Sequence, residues 1–168
     1  MGWCVLSSDG VLLSADAISF SKSANIFEKG EHVRQALKKI KQTHKIKSVF
    51  IEENLQAFRP GFSSAKTIVT LARFNGIVTF LSHEVFCLEP SFLNVNSARK
   101  SVGLKIDRKS TVTTKDQVLE FAKQRLINFE WPMRTLKSGV RKGLVIPANC
   151  CYDIADAYVI ALAGVGDE

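Results

Sequence analysis

The sequence has no uninterrupted apolar run of the roughly 18 residues that a membrane-spanning helix needs. The two best candidates, Ile68 to Leu81 and Ile154 to Val165, both fail. Arg73 breaks the first, and the second is too short. Proline is scarce, with 4 residues, and neither a Pro, Ser or Gln bias nor a low-complexity tract marks a disordered chain. None of the 4 cysteines forms a CxxC pair, and no His stands beside them at zinc spacing. Cys150 and Cys151 are adjacent, which is poor geometry for bridging each other, while Cys4 and Cys87 lie in strand-like apolar runs and are expected to be small buried hydrophobes. A reducing intracellular compartment is the simplest expectation, with an organelle such as the mitochondrion or a bacterial cytoplasm both open. The N-terminus has no secretory h-region and no Arg-rich transit pattern. Met1-Gly2 opens like a myristoylation signal, but Leu6 stands where that signal needs Ser or Thr. There is no glycine loop to cradle phosphate and no Ser/His/Asp or Cys/His arrangement. His32, His44 and His83 lie on or beside helices and are expected at the surface.

What the chain does have is enough apolar residue, 46 % of 168, to build one sizeable core. A single domain over residues 1–168 is expected, without repeat or linker. The 23 Lys and Arg outnumber the 16 Asp and Glu, giving a net charge of +7 and a pI near 9.4. That excess points to a polyanionic partner, nucleic acid before membrane, although a basic protein without such a partner is the plain alternative. Three stretches concentrate the basic residues. Residues 34–47 carry Arg34, Lys38, Lys39, Lys41, Lys45 and Lys47, a run that most simply marks a solvated helix face. Residues 99–109 carry Arg99, Lys100, Lys105, Arg108 and Lys109, and residues 134–142 carry Arg134, Lys137, Arg141 and Lys142. These two stretches are loop-like and suit salt-sensitive phosphate contacts. No base-reading motif accompanies them, so shape is expected to guide recognition more than sequence.

Hydrophobic periodicity predicts the elements. Asp9-Gly10 between two apolar runs is a hairpin signal, placing strands over Trp3–Leu6 and Val11–Phe20. Val33, Leu37 and Ile40 mark an amphipathic helix from Ile26 to about His44. SVFIE, residues 48–52, reads as a buried strand, and residues 54–64 as a loop punctuated by Pro60-Gly61. Ser63 or Ser64 suits the cap of a helix carrying Ile68, Val69 and Ala72, ended or interrupted near Asn75-Gly76. Val85–Leu88 reads as a strand stopped by Pro90. Helices are predicted over Asn94–Val102 and over Lys115–Ile127, the latter with Val118, Phe121, Ala122 and Leu126 on one side. Residues 129–149 read as irregular, and a last helix over Asp153–Ala163 is predicted to be capped by Asp153. A hairpin followed by alternating helix and strand makes one α/β domain with a mixed sheet.

Two acidic features have the right chemistry for a divalent metal, which prefers carboxylate oxygens. Glu52 and Glu53 close the SVFIE strand, at the kind of strand end where α/β sheets bind ligands. Asp153 and Asp156, three apart, share a helix face. Together Glu52, Asp153 and Asp156 are candidates to hold Mg²⁺ or Mn²⁺ for phosphodiester hydrolysis. Helix capping and the helix dipole give the two aspartates an ordinary structural explanation as well.

FIEENLQAF resembles the strand-and-loop motif of the RuvC-type Holliday junction resolvases, which have the RNase H-like fold. CYDIADAYVIALA resembles their C-terminal helix, SARKSVG their basic segment, and TKDQV the lysine-bearing start of the next helix. The resemblance spans nearly the whole chain in order and spacing. It implies an RNase H-like mixed sheet flanked by helices. It also implies a metal-dependent endonuclease acting on branched DNA, working as a homodimer. On it, Glu52 is the central metal ligand, Asp153 and Asp156 the C-terminal pair, and Lys115 a neighbour of the scissile phosphate. Arg99 and Lys100 contact the backbone, and Phe58 or Phe62 reaches into the junction to stack on a base. Packing of that loop against the core would explain either phenylalanine equally well.

One departure stands out. The family carries its first catalytic aspartate on a strand before the Gly-aromatic segment, which Gly2-Trp3-Cys4-Val5 matches here. Asp9 falls in the following hairpin, and Asp16 has no family counterpart. The expectation is a domain whose first strand is missing and whose neighbouring strand edges are unpaired. A truncated product, a partner covering that edge, or a member that lost catalysis would each fit. The last of these is an inactive RNase H-like module binding structured RNA among protein partners, as in a mitochondrial ribosome.

Overall fold

The computed structural model describes residues 1–53 and 65–166, and these residues form a mixed α/β structure. Phe58, Phe62, Ser63, Ser64 and the predicted loop over 54–64 lie outside the described residues. The elements in order are β1 (Gly2–Leu6), β2 (Leu12–Ala17), α1 (Ile26–Thr43), β3 (Phe50–Glu52), α2 (Ala65–Phe86), β4 (Ser91–Leu93), α3 (Val95–Ser101), α4 (Thr114–Arg125), β5 (Met133–Thr135), β6 (Val145–Pro147) and α5 (Cys150–Gly166). Pairing is of both kinds: β1–β2 and β5–β6 are antiparallel and β3–β4 is parallel. Among the described residues these are three two-stranded sheets. The chain divides into two compact units, Met1–Ser19 with Ala98–Glu168, and Phe20–Ser97.

In the first unit the predicted hairpin forms through Asp9-Gly10. Gly10 takes a positive φ of 76°, which costs glycine nothing. β1 lies directly against α5, so closely that a Cβ on Gly2 would fall 2.0 Å from the Asp153 carbonyl oxygen. Only a residue without a side chain admits that approach. The core of this unit comes from α4 and α5: Val118, Leu119, Phe121 and Ala122 of the one, Cys151, Ile154, Ala155, Tyr158 and Val159 of the other, all buried. The apolar side read for α4 is the buried one, and Thr113 caps it by accepting from the Asp116 N–H.

In the second unit, α1 begins with a reciprocal capping box. The Asn25 side chain accepts from Phe27 and Glu28 N–H groups while the Glu28 carboxylate accepts from the Asn25 N–H. α1 packs on α2, burying Val33, Ile40, Leu81 and Val85, and Arg34 pairs with Glu84 on the surface.

Five expectations need correction. α2 does not stop at Asn75-Gly76 but runs unbroken to Phe86. A mid-helix glycine costs about 1 kcal/mol, and the burial of Leu81 and Val85 outweighs it. Val85–Leu88 is therefore the helix end and not a strand, and the strand follows Pro90. Cys87, expected to be buried, is exposed at φ 57° just past the helix, its N–H donating to the His83 carbonyl at 2.8 Å. It ends the helix in the left-handed conformation. α5 starts at Cys150, so Asp153 sits inside the first turn instead of capping it. Within 129–149, predicted as irregular, β5 and β6 form a ribbon.

Candidate functional site

The acidic pair sits on the first turns of α5. Asp153 is exposed, its side chain 54 % accessible, and its Oδ2 lies 3.3 Å from the Met1 amine. Asp156, one turn on, points toward α3. There the Arg99 guanidinium donates through Nη2 to Asp156 Oδ1 at 3.3 Å, an ion pair whose partners are 17 % and 34 % exposed. Burial raises the Asp156 carboxyl above the ordinary carboxylate value. Arg99, by charge and hydrogen bond, and the charge of Lys115 pull it down, and Asp153 pushes it up. Burial prevails. Arg99 Nε is itself buried without a partner among the described residues.

Lys115, at the second position of α4, is exposed and close enough to lower the Asp156 pKa. Beside it is a group that sequence reading missed. Asp116 Oδ2 accepts from the Thr113 hydroxyl at 2.6 Å, and its Oδ1 accepts from the Tyr152 hydroxyl at 2.9 Å. These bonds favour the charged carboxylate and hold it below its ordinary value, while Tyr152 is pushed up. TKDQV displays Asp116 plainly, but nothing in the sequence signals its partner 36 residues away.

Lys100 is exposed at the end of α3. Lys105, Arg108 and Lys109 are exposed on the connection to α4, where the Lys109 N–H donates to Asp107 Oδ1 at 2.8 Å. Arg141 and Lys142 are exposed between β5 and β6. The first unit thus gathers the aspartate pair, Arg99, Lys115 and most of the basic candidates. Glu52 belongs to the second unit: it ends β3, its side chain is exposed, and its carbonyl accepts from Asn75 Nδ2 at 3.0 Å. Among the described residues of either unit, no three His, Cys, Asp or Glu side chains come together as a metal group. In kind, the two carboxylates of α5 fit a hard divalent cation, with the accessible Asp153 the more open donor and Asp156 Oδ1 engaged by Arg99.

No protein-family model and no curated protein matches this chain. No helix among the described residues is long and apolar enough to cross a membrane.

Proposed function

We propose that the chain is a nucleic-acid-binding protein of the RuvC-like, RNase H-like kind that cuts branched DNA with the help of a divalent metal. The observation that carries this reading is the paired aspartates of α5 set among cations: Arg99 on Asp156, Lys115 beside it, and Lys100, Lys105, Arg108 and Lys109 exposed in the same unit. Carboxylates suit a metal and cations suit phosphates, and a phosphodiesterase needs both in one place. Asp153 and Asp156 would hold Mg²⁺ or Mn²⁺, which supplies an activated water and stabilises the leaving oxygen. The part of Glu52 rests on the sequence resemblance. Lys115 would neutralise phosphate charge, and Arg99 would orient the Asp156 carboxylate.

The test mixes the full chain with a four-way DNA junction, a plain duplex and a structured RNA, with and without Mn²⁺. Nicking of the junction that is lost in Asp156→Asn and in Glu52→Gln is the expected result. Nicking that survives both changes refutes the assignment.

A second reading has its own observation. Arg99 already satisfies one oxygen of Asp156, which is what a binding module with no metal would need. The chain would then be an inactive RNase H-like component of a ribonucleoprotein, such as an organellar ribosome. Tight RNA binding without cutting and without metal dependence in the same assay would favour it.

A further inference from the structure

The β5–β6 ribbon differs from every other element of its unit. It is mostly exposed: Met133, Arg134 and Thr135 on one strand, and Leu144 and Val145 at the start of the return, with Ile146 and Pro147 half-buried. A two-stranded ribbon with no fully buried residue contributes little to folding by itself. Its base is fixed. The Ala148 N–H donates to the Pro132 carbonyl at 2.8 Å, Cys151 Sγ contacts the same carbonyl at 3.0 Å, and Trp131 packs edge-on against Phe129 with ring centres 4.9 Å apart. Its far end is closed by hydrogen bonds of its own: Leu136 N–H to the Leu144 carbonyl at 3.0 Å, Gly143 N–H to the Leu136 carbonyl at 2.9 Å, and Lys142 N–H to the Gly139 carbonyl at 3.0 Å. The result is a formed finger, about 20 Å long at roughly 3.3 Å per residue.

Charge says what this finger meets. Residues 131–149 hold Arg134, Lys137, Arg141 and Lys142 and no acid. All four are exposed, and among the described residues none is in an ion pair. Val140 stands fully exposed at the tip between Lys137 and Arg141. The base lies at the start of α5, because Cys151, which contacts the Pro132 carbonyl, is two residues from Asp153 and next to Tyr152, the partner of Asp116.

We infer that the β5–β6 ribbon is a DNA-binding arm that seats in the major groove of a duplex flanking the acidic site. Lys137, Arg141 and Lys142 meet the phosphates on the groove walls, and Val140 faces the base edges. The major groove of B-form DNA is about 12 Å wide and admits a two-stranded ribbon. The major groove of an A-form RNA duplex is too narrow and deep to be entered in this way. An apolar tip between cations suits base edges between phosphates. The inference rests on the reading of the chain as a nucleic-acid-binding protein, and it adds the element that grips the duplex and the groove it enters.

The experiment measures binding of the full-length chain to a labelled DNA duplex, the matching RNA duplex and phosphatidylserine vesicles across a salt series. The proteins are wild type, K137A/R141A/K142A and Val140→Ser. All changes lie at exposed positions, and circular dichroism melts check that each variant folds as wild type does. Three lost phosphate contacts, at about 0.9 each, should reduce the slope of log affinity against log salt by about 2.7 for DNA. Val140→Ser should weaken DNA binding several-fold and leave the slope unchanged. An unchanged slope in the triple variant, equal affinity for RNA, or binding to vesicles in preference to DNA overturns the arm. If wild type binds DNA while the triple variant keeps its slope, only the arm falls. If wild type binds no nucleic acid, the proposed function falls with it.

Discussion

Replacing Asp156 by Asn should stabilise the protein slightly at neutral pH, although it removes one side of an ion pair. Burial raises the Asp156 carboxyl more than Arg99 and Lys115 lower it, so the ionised form is the costly one in the folded state. The sign follows from linkage. A carboxyl whose folded pKa lies above its unfolded value of 3.8 binds its proton more tightly when folded. Stability therefore falls as pH rises from that unfolded value through the raised folded one. Asn mimics the protonated carboxyl and escapes the loss. Since 34 % of the side chain stays in water, the gain is discounted to below about 1 kcal/mol, or a rise of a few degrees in melting temperature. The assay is urea denaturation of wild type, Asp156→Asn, Arg99→Met and the double variant between pH 3 and pH 8. The wild-type deficit against Asp156→Asn should close as the pH drops below 3.8. Arg99→Met should destabilise wild type by about 1–3 kcal/mol at pH 7, because it strands a half-buried carboxylate, and should cost much less in the Asn background. A loss of more than about 1 kcal/mol in Asp156→Asn at pH 7 would refute the reasoning, for the pair would then outweigh the burial.

Gly2→Ala should lower stability by about 1–3 kcal/mol, since its Cβ would sit 2.0 Å from the Asp153 carbonyl oxygen. A thermal melt checks it, and an unchanged midpoint would mean that β1 does not lie against α5. Burial pushes the Cys4 thiol up to about 12 while Cys87 is exposed, so iodoacetamide at pH 8 should label Cys87 long before Cys4. Mass spectrometry of the peptides decides, and equal rates would contradict the placement of Cys4. Tyr152→Phe removes one of the bonds that keep Asp116 charged, with an effect of about 0.5–1.5 kcal/mol at neutral pH. Because Asp116 has a depressed folded pKa, that stability is present above its unfolded value and lost as the pH falls. The gap between Tyr152→Phe and wild type should thus shrink in acid, and a gap that holds constant to pH 2 would exclude Asp116 as its source.

Elements whose local signals agree with their burial were legible in the sequence. The Asp9-Gly10 hairpin needed only turn chemistry, and α4 needed only its apolar spacing, since Val118, Phe121, Ala122 and Leu126 are all buried. Misreadings fell where an apolar run fits two periods. Leu81, Ser82 and Val85 are buried at helical spacing, yet Val85 to Leu88 taken alone suits a strand equally well. The ribbon stayed hidden because a three-residue strand such as β5, exposed throughout, has no alternation to read. Of the candidate site, the residue types and the shared face of Asp153 and Asp156 were legible. The Arg99–Asp156 pair, 57 residues apart in sequence, was not, and neither was Tyr152–Asp116. Long-range partners are fixed by packing, which leaves no local trace.

The two aspartates of α5 show how far packing differentiates residues that sequence presents as equivalent. They lie three apart on one face, but Asp153 is accessible while Asp156 is turned against Arg99. Neighbouring carboxylates in different surroundings take different roles. Pro132 at the base of the ribbon contacts Cys151, next to Tyr152, and Tyr152 holds Asp116 beside Lys115. The start of α5 therefore anchors the basic finger and carries the acidic pair. A phosphate can approach those carboxylates only when cations such as Lys115 or a bound metal lie between the like charges.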